Sequence, residues 1–255
     1  MCLILFAYKS HPRYKLVVAA NRDEFYNRKT APAAFWEDHP RLLAGRDLQA
    51  MGTWMGINKN GRVSMLTNYR DLSNIKPQAP TRGKLVSNFL ITNSTPNTYL
   101  DAINPLATSF NDFNILLGTA DDLWYYSNKQ MKKTMLGSGV YGLSNHLINT
   151  PWPKVEAGKE ALHNELKNDK VEIENLFATL KSEEKADRDR LPDTGVGIEM
   201  ERMLSPMFIK SSEYGTRCST VLLIDKDNHV NFVERTYDTT DFTWTDKSFE
   251  FDIEE

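Results

Sequence analysis

The sequence predicts an α+β layered sandwich rather than an alternating α/β fold. Two observations carry this. The stretches "CLILFAY" and "KLVVAA" are apolar at every position instead of alternating, as strands covered on both faces are. The elements also come in blocks of strands, helices, strands, helices and strands, so helix pairs stack on sheets instead of crossing between parallel strands.

Taken in order, "CLILFAY" and "KLVVAANRDE" are two neighbouring strands separated by the polar break "KSHPRYK". "GTWMGINKNGRVSMLTNYRD" reads as strand, turn and strand, with "NKNG" supplying the turn chemistry. "GKLVSNFLITN" places Leu85, Phe89 and Leu90 at helical spacing, and "NTYLDAINPLATSF" continues as a proline-interrupted second helix. "FNILLGTADDLWYYSN" returns to strands around a "TADD" turn, and "KKTMLGSGVYGLSNH" adds a short strand and a glycine-rich loop. Helical patterns resume over 155–168 and 172–181. The polar stretch "KSEEKADRDRLPDTGVG" is an exposed loop, and "TRCSTVLLIDKDNHVNFVERTYD" is a hairpin turning at "DKDN". No repeat period interrupts this order, so residues 1–255 are expected to form a single domain.

Composition narrows the function classes. A formal net charge of -3 with scattered Lys and Arg points away from nucleic acid and from anionic membrane surfaces. No apolar run approaches the roughly eighteen residues of a membrane span, and "LILFA" lacks the basic lead of a signal peptide. Cys2 and Cys218 are the only cysteines, which excludes a disulfide framework and favours a reducing, cytoplasmic setting, although the two could still pair once. The five histidines show no metal-ligand spacing, and the "GSG" at 137–139 lacks the lysine of a phosphate loop. Neither a metal nor a cofactor is called for.

The chemistry concentrates where the first two strands end. If "HPRY" is a four-residue turn, Ser10 opposes Lys15 and Cys2 opposes Asp23; a one-residue change in loop length brings Arg22 opposite Cys2 instead. Opposed residues share a face, so either register carries "NRDE" to the cysteine. A cysteine behind the initiator methionine has a further option, because methionine removal would leave it with a free α-amine. That amine titrates near ~7.7–8.0 and could serve as base for its own thiol. Arg22 would lower the thiol pKa, and Asp23 could hold the amine. The plain alternative is that Cys2 starts a core strand as a small hydrophobe and the charged tetrad merely ends one.

The motifs "MCLILFAY…NRDE", "GTWMGIN", "LTNYRD", "RGKLV", "YGLSNH" and "YGTRCSTVLLID", in this order over most of the chain, resemble the NRDE or transport-and-Golgi-organisation family. More distantly, the landmarks are similar to those of N-terminal nucleophile hydrolases of the cholylglycine hydrolase and penicillin acylase group. That likeness implies a four-layer αββα sandwich and hydrolysis of an amide or ester of an acyl-type small molecule. It implies Cys2 as nucleophile, Arg22 and Asp23 beside it, Asn68 as an oxyanion-hole donor, Asn145 as a second asparagine near the cysteine and Arg217 as a later arginine. The contiguous Asn-Arg-Asp-Glu departs from the hydrolases' spacing, which leaves Asp23 and Glu24 both open as the orienting carboxylate. For the family's eukaryotic members the resemblance also implies a rival: a non-catalytic binding or trafficking protein for a lipid, an acyl thioester or haem.

Overall fold

Among residues 2–254, which the computed structural model describes, thirteen strands form two antiparallel sheets. The first contains β1 (Cys2–Tyr8), β2 (Tyr14–Phe25), β10 (Gly139–Leu143), β11 (Tyr214–Asp225), β12 (His229–Tyr237) and β13 (Trp244–Asp252), in the order β10-β1-β2-β11-β12-β13. The second runs in chain order through β3 (Thr30–Phe35), β4 (Leu42–Asp47), β5 (Met55–Asn58), β6 (Val63–Asn68), β7 (Phe113–Gly118), β8 (Leu123–Ser127) and β9 (Lys132–Met135). Helices α1 (Gly83–Ile91) and α2 (Pro96–Ile103) cover the second sheet, whereas α3 (Pro153–Glu165) and α4 (Ile173–Leu180) cover the first. A short α5 (Ile198–Met203) closes the long polar segment before β11.

The uninterrupted apolar runs are explained by this layering. Even-numbered residues of β1 and β2, such as Ile4, Phe6, Leu16 and Val18, pack between the sheets. Odd-numbered ones, such as Leu3, Leu5, Val17 and Ala19, pack beneath α3 and α4. Both faces are buried, so neither could be polar. Gly158 lets α3 lie close on β1, since a β-carbon there would sit 2.6 Å from Leu5 Cδ1. The expected αββα sandwich is the observed one. Among the described residues no helix is long and apolar enough to cross a membrane.

The structure differs from the expectation in three places. Tyr8 pairs with Leu16 and Cys2 with Arg22, the second of the two registers the sequence allows, rather than with Asp23. The turn is one residue longer than "HPRY", because Lys9 adopts φ 49° and its N–H bonds the Lys15 carbonyl at 2.8 Å, while His11 accepts from Arg13 N at 3.0 Å inside the loop. The glycine-rich segment before "SNH" is not a loop but β10, an edge strand on β1. Strands β3 and β13 escape sequence reading because both are sheet edges, where Pro32 and the charges of "TDKSFEFD" are tolerated and little apolar pattern is needed; the short internal β4 escapes it as well.

Candidate active site

A pocket of about 370 Å³ opens where the two sheets meet, at the strand ends that carry Cys2. Its floor is set by register. Cys2 opposes Arg22, Arg22 opposes Cys218, and Cys218 opposes Thr236, so one row crosses β1, β2, β11 and β12. All four residues line the pocket. Cys2 and Cys218 are free thiols. Each lies one strand from β2, so their α-carbons stand about 9–10 Å apart, beyond the roughly 7 Å a disulfide spans.

The tetrad "NRDE" is divided by strand alternation. Asn21 points away from the pocket, donating to the carbonyls of Leu180 at 2.9 Å and Met207 at 2.8 Å and accepting from Ser219 Oγ at 2.6 Å. Arg22 and Glu24 share the pocket face and approach to 3.7 Å, and Glu24 also lies 3.8 Å from Arg28. Asp23, on the Asn21 side, accepts from Thr216 Oγ1 at 2.7 Å. Burial pushes its carboxyl up, against the pull of Lys154, the Thr216 bond and Arg22.

The same burial pushes the Cys2 thiol up, with the Asp23 charge acting in that direction, while Arg22 and the Asp23 backbone N–H oppose the rise. A resting thiol, rather than a thiolate, follows. The question of whether Met1 is removed falls on a residue outside those described.

Asn68 ends β6 and lines the pocket on the wall facing Cys2. Asn145 does not line it. Fully buried behind that wall, its amide donates to the Asn68 carbonyl at 2.9 Å, and its oxygen accepts from Ser144 Oγ, 3.4 Å away, which also reaches the Cys2 carbonyl at 3.3 Å. Asn145 therefore ties the Asn68 strand end to the Cys2 strand rather than lining the pocket. Arg217 sits at a β-bulge in β11 and donates from Nη1 to the carbonyls of Phe25, Tyr26 and Arg28 at 3.0, 3.2 and 3.0 Å. It lines the pocket while latching the β2–β3 turn.

Other lining residues were not singled out from the sequence. Arg82 precedes α1 and donates to the Asp112 carbonyl at 2.9 Å; it belongs to the "RGKLV" segment, whose arginine was the available signal. Arg28 is held by Asp47 at 2.6 Å. Glu234, buried on β12, accepts from Ala33 N at 2.6 Å, and burial pushes its carboxyl up. Cys218 rises for the same reason, with Glu234 adding to the effect. No pattern in "TRCST" or "VERTY" reveals that β11 pairs with β2 and β12 with β11.

Comparison with known sequences now decides the family. The profile described as Transport and Golgi organisation 2 matches residues 1–239. The chain belongs to the Transport and Golgi organisation 2 family. The Transport and Golgi organization 2 homolog of Mus musculus is 34% identical over 280 residues, spanning 100% of both chains. The Drosophila melanogaster Transport and Golgi organization protein 2 is 29% identical, covering 92% of each. Among solved structures, the C2A mutant of conjugated bile acid hydrolase from Clostridium perfringens aligns with TM-score 0.50 and 9% identity, over 99% of this chain and 97% of that one. That likeness is one of fold.

Among the described residues no histidine lines the pocket, whose walls carry five arginines instead.

Proposed function

We propose that this protein is a cysteine-dependent hydrolase of an acyl amide or ester, with Cys2 as nucleophile. The observation that carries the reading is the placement of Cys2 on the pocket floor, directly opposed by Arg22 and faced by Asn68. The sulfur attacks the acyl carbon, and its proton passes to the Cys2 α-amine once Met1 is cleaved; the amine then protonates the departing nitrogen or oxygen. Water hydrolyses the resulting thioester, releasing the acid and regenerating the thiol. Because burial holds the thiol neutral, a local base is needed, and the α-amine is the group adjacent to it. The Asn68 amide and a backbone N–H serve the oxyanion, where one lost donor costs ~10²–10³ in rate. Arg22 stabilises developing thiolate. Asn145 and Arg217 act as positioning residues, through Asn68 and the β2–β3 turn. Asp23 is the carboxylate at the Cys2 end of β2, whereas Glu24 bridges arginines. As one domain in a reducing cytoplasm, the protein keeps both thiols free.

Intact mass of the purified native protein and the Cys2→Ala variant test this together. The expected results are a mass lacking methionine and loss of acyl-amide turnover in the variant. Retained methionine, or full turnover by Cys2→Ala, refutes the mechanism.

The raised thiol favours a second reading: a non-catalytic carrier for an acyl or lipid-like ligand, in which Cys2 is structural. Tight ligand binding with slow thiol labelling at pH 7 and no turnover selects the carrier.

A further inference from the structure

The pocket contains polar hydrogens that the protein itself does not use. Arg22 is 8% exposed, yet its Nη1 is buried without a hydrogen-bond partner among the described residues. The hydroxyl of Thr236, two strands along the same floor row, is buried and unpartnered too, as is Nε of the pocket-lining Arg46. Buried donors are satisfied in the great majority of native sites, and a cluster of exceptions on one cavity wall marks where a ligand supplies acceptors.

Charge points the same way. Of the five arginines lining the pocket, Arg46 forks onto Asp38 at 2.6 and 2.7 Å and Arg28 is held by Asp47 at 2.6 Å. The other three, Arg22, Arg82 and Arg217, have one carboxylate in ion-pair reach among the described residues, Glu24 beside Arg22 at 3.7 Å. Arg82 and Arg217 donate to neutral carbonyls and, among the described residues, fork onto no carboxylate, although Glu24 attracts both through space. Of the remaining lining carboxyls, Asp23 accepts from Thr216 Oγ1 at 2.7 Å, and Glu234 is turned to the Ala33 N–H at 2.6 Å while attracting Arg22 through space.

We infer that the Arg22–Thr236 floor and Arg82 form an oxyanion site, so that the ligand reaching Cys2 carries a carboxylate or phosphate group. Guanidinium forks match the geometry of both groups. The inference extends the hydrolase reading by naming its substrate chemistry, and its test does not require turnover.

Calorimetric titration of the full chain with inorganic phosphate and with succinate, at ionic strength fixed by chloride, provides that test. Saturable binding of at least one is expected, with affinity lowered about tenfold or more by Arg82→Gln and by Thr236→Val. Thr236→Val removes a donor that has no partner, so the free variant is expected to melt no lower than the parent while binding the anion more weakly. Tighter phosphate binding assigns the site to a phosphate ester, and tighter succinate binding to a carboxylate. Anion binding retained in Cys2→Ala while turnover is lost supports both readings. Anion binding without any turnover in the parent overturns the hydrolase alone. Absence of saturable binding beyond chloride, or unchanged affinity in both pocket variants, overturns the anion site.

Discussion

Replacing Asn21 with leucine removes hydrogen bonds while keeping a side chain of similar size in place. Asn21 is fully buried and is held by the Leu180 and Met207 carbonyls at 2.9 and 2.8 Å and by Ser219 Oγ at 2.6 Å. Ser219 keeps a partner in Tyr237, 3.0 Å away, so the loss falls on two buried carbonyls. At about 1–3 kcal/mol for each orphaned group, Asn21→Leu is expected to cost about 2–6 kcal/mol. At about 2–4 °C per kcal/mol for a chain of this size, the melting temperature falls by about 4–24 °C. Urea unfolding followed by tryptophan fluorescence is the assay, with a lowered midpoint at unchanged slope as the signature of lost stability. Asn21→Asp replaces the donors with oxygens facing the same carbonyls and is expected to be at least as damaging. Because Asn21 faces away from the pocket, anion affinity of the folded fraction should persist. A loss below about 1 kcal/mol in Asn21→Leu would refute the argument that this first residue of the tetrad is a structural tie.

Three further outcomes follow from buried groups near the site. Burial pulls the Lys154 ammonium down to about 8, opposed by Asp23. Between pH ~8 and ~10.4 the unfolded chain therefore holds a proton the folded one has released, and the lysine's contribution to stability rises with pH. Measured by urea at pH 7 to 10, wild-type stability should gain on Lys154→Met across that window; a constant difference contradicts the buried-lysine account. Arg217→Ala unlatches three carbonyls of the β2–β3 turn, and faster trypsin cleavage after Arg28 at unchanged global stability is expected, whereas an unaltered cleavage rate argues against the latch. Gly215→Ala places a β-carbon 2.3 Å from both the Ile209 carbonyl oxygen and the Tyr26 hydroxyl, so a loss of about 1–3 kcal/mol or more is expected on denaturation.

Much of the fold was legible because burial on both faces writes itself into composition. The apolar runs at β1 and β2, the helical spacing of Leu85, Phe89 and Leu90, and the "DKDN" turn all specify local structure through side chains close in sequence. The edge strands β3 and β13 were not legible, since an edge half in water needs neither a continuous apolar run nor a strict pattern. Of the site, Cys2, Arg22, Asp23, Asn68 and Arg217 do reach one pocket, and Asn145 supports its wall from behind.

The chain by itself determined that Cys2 and the charged tetrad belong together, because both occupy the ends of adjacent covered strands whose pairing is nearly forced by the short turn. Only the tertiary structure decided which tetrad residue meets the thiol. One extra turn residue, fixed by the left-handed Lys9, moves Arg22 opposite Cys2, and the two-residue alternation of β2 turns Asn21 away from the pocket while Asp23 reaches it only from the strand's end. Likewise, Cys218, Thr236 and Arg82 join the site through strand order and helix placement, contacts between residues far apart in the chain that no local pattern encodes.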